Sequence, residues 1–171
     1  NIFFTDAVQA FGKIPINFSN LSYEFAVISS HKIGGPKGVG ALLVSDFEAI
    51  EPMIRGGGQE SGLRSGTECL TNILGFASAV ENRLCELKSG IQFEIEKKRD
   101  YLESMVRDVN KDTLIVGEKV QRLPNTSYFL TPGWKSDLQV ACLDLEGFSV
   151  SAGMACSSGK TGIGKGLLSM G

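Results

Sequence analysis

Short apolar runs recur through the first third of the chain, punctuated by Gly, Pro, Asn and Ser, and they predict strands over 2–5, 14–16, 25–30 and 40–44. A glycine-dense stretch over 55–67 then leads into a helical pattern over 68–88, whose apolar positions are Leu70, Ile73, Leu74, Ala77, Val80, Leu84 and Leu87. The next segment, 91–109, is also helical and carries the densest charge of the chain, from Glu94 to Asp100, which reads as a solvated face with i,i+4 pairs such as Glu94 and Lys98. Strands over 113–116 and 125–130, a helix over 136–145 and a strand over 148–151 complete the pattern. The mixture predicts an α/β fold, and the shift from glycine-rich loops to a charged helix near 85–90 predicts a domain junction there.

Composition narrows the function classes. The 171 residues are 42% hydrophobic and 21% charged, an ordinary globular balance, and the formal net charge is -2. A broad basic footprint for nucleic acid is absent, and no apolar run approaches the ~20 residues of a membrane helix. Cys69, Cys85, Cys142 and Cys156 form no C-x-x-C pair, and the chain has one histidine, so a structural zinc site lacks ligands. The start shows no signal-like segment, which with so few cysteines points to a reducing, cytoplasmic setting. Glycine is the outlier: 21 of 171 residues against ~7% in ordinary chains. Clustered glycines point to backbone-lined turns, where chemistry often sits.

Two such places follow predicted strands. The segment Ser29-Ser30-His31-Lys32-Ile33-Gly34-Gly35 offers hydroxyls, imidazole and amine at one sheet edge, where open α/β folds hold ligands. A surface turn with a solvated lysine is the plain alternative. Asp6 and Gln9 are three residues apart, so a helical turn there brings both side chains to one ligand; alone, Asp6 reads as a helix cap. Among the cysteines, Cys69, Cys85 and Cys142 lie in helical patterns and read as small buried apolar residues. Cys156 differs, because Gly153, Ala155, Ser157, Ser158 and Gly159 build no packed wall around it, and Lys160 favours its thiolate. Two phosphate-loop near misses fail on detail: Gly153 to Gly159 is one residue too widely spaced, and Gly166 stands where a magnesium-binding Ser or Thr is needed after Lys165.

Five ordered segments resemble one family. These are residues 5–16 (TDAVQAFGKIPI), 29–40 (SSHKIGGPKGVG), 55–67 (RGGGQESGLRSGT), 123–126 (LPNT) and 151–160 (SAGMACSSGK). Together they are similar to the signatures of the NifS-type cysteine desulfurases, pyridoxal 5'-phosphate (PLP) enzymes of the class V aminotransferase group. The resemblance implies the PLP-dependent transferase, aspartate aminotransferase-like fold. Residues 1–86 would be the C-terminal part of the large PLP-binding domain, and 87–171 most of the small α/β domain, incomplete at its end.

The resemblance also implies roles. Lys32 is the lysine that bonds the cofactor and later acts as general base, Asp6 pairs with the ring nitrogen, and Gln9 donates to the ring's phenolic oxygen. Ser29 and His31 hold the phosphate, with Ser30 contributing its backbone amide. Thr67 reaches the phosphate in the neighbouring subunit of a homodimer. Cys156 takes sulfur from L-cysteine, leaving L-alanine, and carries it as a persulfide to a sulfur-acceptor or iron–sulfur scaffold protein. No structural metal is implied, although Cys156 can transiently contact an iron–sulfur cluster. The family's small-residue phosphate loop, a cofactor Asn and a ring-stacking His would precede Asn1, and its carboxylate-clamping Arg would follow Gly171. The 171 residues alone are therefore expected to hold PLP poorly and to release no alanine. Another class V aminotransferase or lyase activity, needing Lys32 but not Cys156, and an inactive dimerisation module remain the alternatives.

Overall fold

The computed structural model describes residues 2–20 and 24–153. They fall into two compact units, one within 2–97 together with Leu123–Asn125, the other Lys98–Arg122 with 126–153.

The first unit is built on a three-stranded sheet, β1 (Phe4–Asp6), β2 (Phe25–Ser29) and β3 (Gly40–Val44). β1 and β2 run parallel with Asp6 level with Val27, and β2 and β3 are antiparallel with Ser29 level with Gly40. The pairing places the carboxyl ends of β1 and β2 side by side, and Ala7 N–H extends it by donating to Val27 O at 3.0 Å. The strand expected over 14–16 does not form. The chain instead curls after Asp6, with the amides of Ala10 and Phe11 donating to Ala7 O, and only an isolated bridge joins Phe11 to Ile14. Gly12 at φ +72° turns the backbone in a way a strand cannot, and Pro15 has no N–H to give a ladder.

α1 (Leu70–Ser89) lies against the turn that follows β2. Its Phe76 and Ala79 join Ile33 as the buried centre of the unit, with Phe11, Ile28, Val39 and Val80 packed around them. This buried face differs from the apolar positions read in the sequence, since Leu70, Ile73, Leu74 and Leu84 are exposed. Gly90, at φ +83°, ends the helix by donating to the carbonyls of Glu86 and Leu87. α2 (Ile91–Val109) follows at once, and on its surface Lys97 pairs with Glu94 at i,i+3 and 2.8 Å.

The second unit contains a short antiparallel pair, β4 (Leu114–Ile115) and β5 (Phe129–Leu130), and α3 (Ser136–Leu145). Both strands are shorter than their predicted runs. The strand expected over 148–151 is also absent, and the cause is local. Gly147 at φ +83° donates to Asp144 O, and Phe148 N–H closes back on Leu143 O at 2.8 Å. That pair of bonds is a Schellman stop, which uses Phe148 to terminate α3 rather than to start a strand.

Beside the strands, Glu103 is 7% exposed and receives both Arg122 guanidinium nitrogens, at 2.7 and 2.9 Å, and Ser127 Oγ at 2.6 Å. The hydrogen bonds from Arg122 hold its carboxyl below the ordinary glutamate range, against the opposing effect of burial.

Candidate functional site

Asp6 ends β1, and its Oδ1 accepts the Val8 amide at 2.9 Å. This small turn starts the curl of residues 7–11 and leaves Asp6 and Gln9 exposed near the carboxyl end of the parallel pair. The carboxylate is thus a local cap, as its sequence position suggested, and it keeps a second oxygen for other partners.

From the neighbouring strand end, Ser29 Oγ and His31 Nδ1 share a hydrogen bond of 2.8 Å. The bond fixes the imidazole ring and leaves Nε2 for a ligand. Lys32 sits half-buried on a 3-10 turn, Ser30–Ile33, that Gly34 closes at φ +89°. Its amine has no hydrogen-bond or ion-pair partner among the described residues.

The turn is held by α1 through three separate contacts. Asn72 Nδ2 donates to Lys37 O at 3.2 Å, and Arg83 Nε donates to Ile33 O at 3.2 Å. Between them Gly75 meets Pro36, where an added Cβ would stand 3.0 Å from the ring. The first and second turns and the last third of one helix therefore pin the loop that carries Lys32. Asn72 and Arg83 were not singled out in the sequence, because a long-range side-chain bond to a backbone carbonyl leaves no periodic or motif signal.

Ser30 sits within the same turn. Its amide N–H already donates to Val39 O at 3.2 Å, and its hydroxyl is fully buried without a partner.

Thr67 is exposed between the glycine-rich loop and α1 and makes no hydrogen bond to the group formed by Asp6, Gln9, Ser29, His31 and Lys32. The loop before it is closed on itself. Buried Ser65 donates through Oγ to Gly57 O at 2.9 Å, and Gly66 N–H donates to Gln59 Oε1 at 3.3 Å. Glu60 and Ser61 both lie in the left-handed region, at φ 48° and 58°, a conformation that costs about 1–3 kcal/mol per residue outside glycine. Cys156 lies outside the described residues. Cys69, Cys85 and Cys142 are exposed, against the expectation that they pack as core. Cys69 stands at the N-cap of α1, Cys85 lies on α1 beyond its buried Phe76 and Ala79, and Cys142 lies on α3, none of whose residues is buried.

Among the described residues no three His, Cys, Asp or Glu side chains are grouped to hold a metal ion, and no helix is long and apolar enough to cross a membrane. What the strand ends assemble is a carboxylate, a carboxamide, a hydroxyl–imidazole pair and a lysine amine. This set suits a ligand with an anionic group, a basic ring nitrogen and a carbonyl carbon.

Comparison with known proteins places the chain in a family. The chain is 41% identical over 159 residues to cysteine desulfurase IscS of Dictyoglomus turgidum, covering 91% of this chain and 39% of that protein. It is 36% identical over 158 residues to cysteine desulfurase NifS of Azotobacter vinelandii, covering 92% and 39%. The crystal structure of a NifS-like protein from Rickettsia africae superposes with a TM-score of 0.82 at 40% identity, over 90% of this chain and 42% of that one. The chain thus spans about two-fifths of the length of these relatives. The family model described as Aminotransferase class-V matches residues 1–165, and the chain belongs to that family.

Proposed function

We propose that this chain is part of a PLP-dependent cysteine desulfurase, which removes sulfur from L-cysteine to give L-alanine and passes it on as a persulfide for iron–sulfur cluster assembly. The observation that carries the reading is that Asp6 and Gln9 lie at and after the end of β1, and Ser29, His31 and Lys32 at and after the end of the adjoining parallel β2, on a turn pinned by α1. The donor set fits the cofactor group for group. Asp6 would hold the ring nitrogen protonated, Gln9 would donate to the phenolic oxygen, Ser29 and His31 would hold the phosphate, and Lys32 would bond the aldehyde carbon. Bound there, PLP supplies an electron sink for the electrons of the substrate Cα–H bond.

The chain's own residues do the rest. Lys32, once released, takes the proton from the substrate Cα as general base. A lysine free of carboxylate partners is suited to this, because its amine has no ion pair to break first. The Cys156 thiolate attacks the substrate sulfur. A sulfur–sulfur bond forms, the Cβ–S bond breaks and its electron pair is protonated at Cβ, and Lys32 returns a proton to Cα to leave alanine. The same thiol then hands sulfur to a protein acceptor. Thr67, on its exposed segment, would serve the cofactor of a second subunit in a homodimer, and residues 1–86 and 87–171 would belong to the large and small domains respectively. The cytoplasm is the compartment that suits a persulfide carrier.

The test is alanine and sulfide release from L-cysteine by the full-length protein in the presence of a thiol reductant. Lys32→Ala should abolish both, and Cys156→Ser should abolish sulfur release by at least about 10²-fold, the scale of a lost nucleophile. Cys156→Ser turning over at the parental rate, with Lys32→Ala inactive, would assign a different class V activity.

A further inference from the structure

Among the described residues Thr67 makes no hydrogen bond, so its place is set by the residues before it. The nearest is Gly66, at φ +107°, a conformation that glycine reaches easily and other residues seldom do. A glycine there swings freely unless its polar groups are tied. Gly66 N–H donates to Gln59 Oε1 at 3.3 Å, and Gly66 O accepts from Arg64 NH1 at 3.4 Å. The Arg64 bond is long, exposed and spans two residues. The Gln59 bond spans seven, so among the described residues the Gln59 carboxamide is the side chain that ties Gly66 to the far side of the loop. Ser65, one residue earlier, is anchored to the same side, its N–H donating to Ile54 O at 3.0 Å and its Oγ to Gly57 O at 2.9 Å.

The loop is shaped around that carboxamide. Gln59 opens a 3-10 turn, Gln59–Gly62, in which Glu60 and Ser61 hold left-handed backbone, and residues other than glycine keep such a conformation only where surrounding bonds over-determine it. Gly57 clears the space, because a Cβ there would fall on Gln59 Oε1, Cδ and Nε2. Gly57 is not itself in the left-handed region. Glycine is therefore needed at 57 for room and not for conformation.

We infer that Gln59 is a positioning residue for the PLP phosphate: its carboxamide holds Gly66, and through Gly66 it sets Thr67 for the phosphate bound in a second subunit. The inference rests on the PLP reading above and deepens it, because the resemblance gives a role to Thr67 and none to Gln59.

The probes are PLP and pyridoxal, which differ by the phosphate, titrated into the full-length apoprotein and followed by the absorbance of cofactor bonded to Lys32. Gln59→Met keeps the length of the side chain and removes the acceptor. It should weaken PLP about three- to tenfold, the range of one hydrogen bond, and leave pyridoxal unchanged, whereas a general loosening of the protein would weaken both. Gly57→Ala, whose methyl displaces the flexible end of Gln59, should reproduce that loss with Gln59 intact. Thr67→Val should weaken PLP about tenfold or more, the scale of a lost hydrogen bond to a charged group. Adding Gln59→Met to it should change nothing further, since the path through Thr67 is already cut. Weakened PLP binding in Thr67→Val with none in Gln59→Met, an additive double variant, or equal weakening of pyridoxal would each overturn the inference and leave the PLP reading standing. Failure of the parent protein to bind PLP would remove both, and an unaffected Thr67→Val would remove the role of Thr67 and the inference with it.

Discussion

Ser30 and Gly35 illustrate how closely the lysine turn is packed. A Cβ on Gly35 would stand 2.2 Å from Ser30 Oγ and 3.1 Å from Ala79 Cβ, and Ser30 is fully buried, so the hydroxyl has little room to move. Gly35→Ala is expected to destabilise the protein by about 1–3 kcal/mol, as overpacking in a filled core does. Ser30→Ala removes both the obstructing oxygen and a buried group without a partner, so alone it should be neutral or slightly stabilising. In the Gly35→Ala background it should recover part of the loss. Urea denaturation of the two single variants and the double variant checks this, and an additive double variant would contradict the contact. The sequence marked Ser30 by its company with His31 and Lys32. It could not show that the hydroxyl faces inward, because that depends on a glycine five residues later and a helix more than forty residues away.

At the scale of elements, α1 acts as a clamp on the segment from Ile33 to Lys37. Arg83→Ala removes the bond to Ile33 O together with the Glu86 pair, and about 1–2 kcal/mol of stability should go with them. Hydrogen exchange in residues 33–37 should rise, while exchange in β4 and β5 should not.

In the second unit, the Glu103 side chain ties Arg122 to Ser127 across the short Leu-Pro-Asn-Thr segment. Arg122→Ala leaves a buried carboxylate without its cation, an expected loss of about 3–5 kcal/mol. The same pair sets an acid limit. Because the folded-state pKa of Glu103 lies below the unfolded value near 4.5, its contribution is complete above that value and disappears as pH falls through the folded pKa. Thermal unfolding measured against pH should show a decline below about pH 4.5 that Glu103→Gln flattens. The sequence offered helix, turn and strand in this region but no hint of the pairing, since Glu103 lies within a charged helix where a solvated face is the ordinary reading.

At the scale of the whole molecule, burial is sparse and local. Among the described residues three form the buried hydrophobic cluster, and large apolar side chains such as Phe3, Phe4, Leu74, Phe93 and Val109 stand exposed. Cys69, Cys85 and Cys142 share that exposure, so in the native 171-residue chain each should react with a disulfide thiol reagent at a rate within about tenfold of the unfolded chain, in proportion to its thiolate. Mass spectrometry of timed samples assigns the sites. Protection of any one of them beyond about a hundredfold would mean that its helix face is covered.

Local patterns determined a good deal on their own. Alternating strands and helices and the chemistry-bearing segments at 5–16 and 29–40 were legible because backbone conformation and motif spacing are encoded within a few residues. The tertiary structure decided the rest. Parallel pairing of β1 with β2 brings Asp6 level with the strand that leads to Lys32. Asn72 and Arg83 reach back across 35 and 50 residues to hold that turn, and the apolar face of α1 that is buried is the one carrying Phe76 and Ala79. Those outcomes depend on which surfaces meet, and contacts between residues distant in the chain leave no periodicity to read.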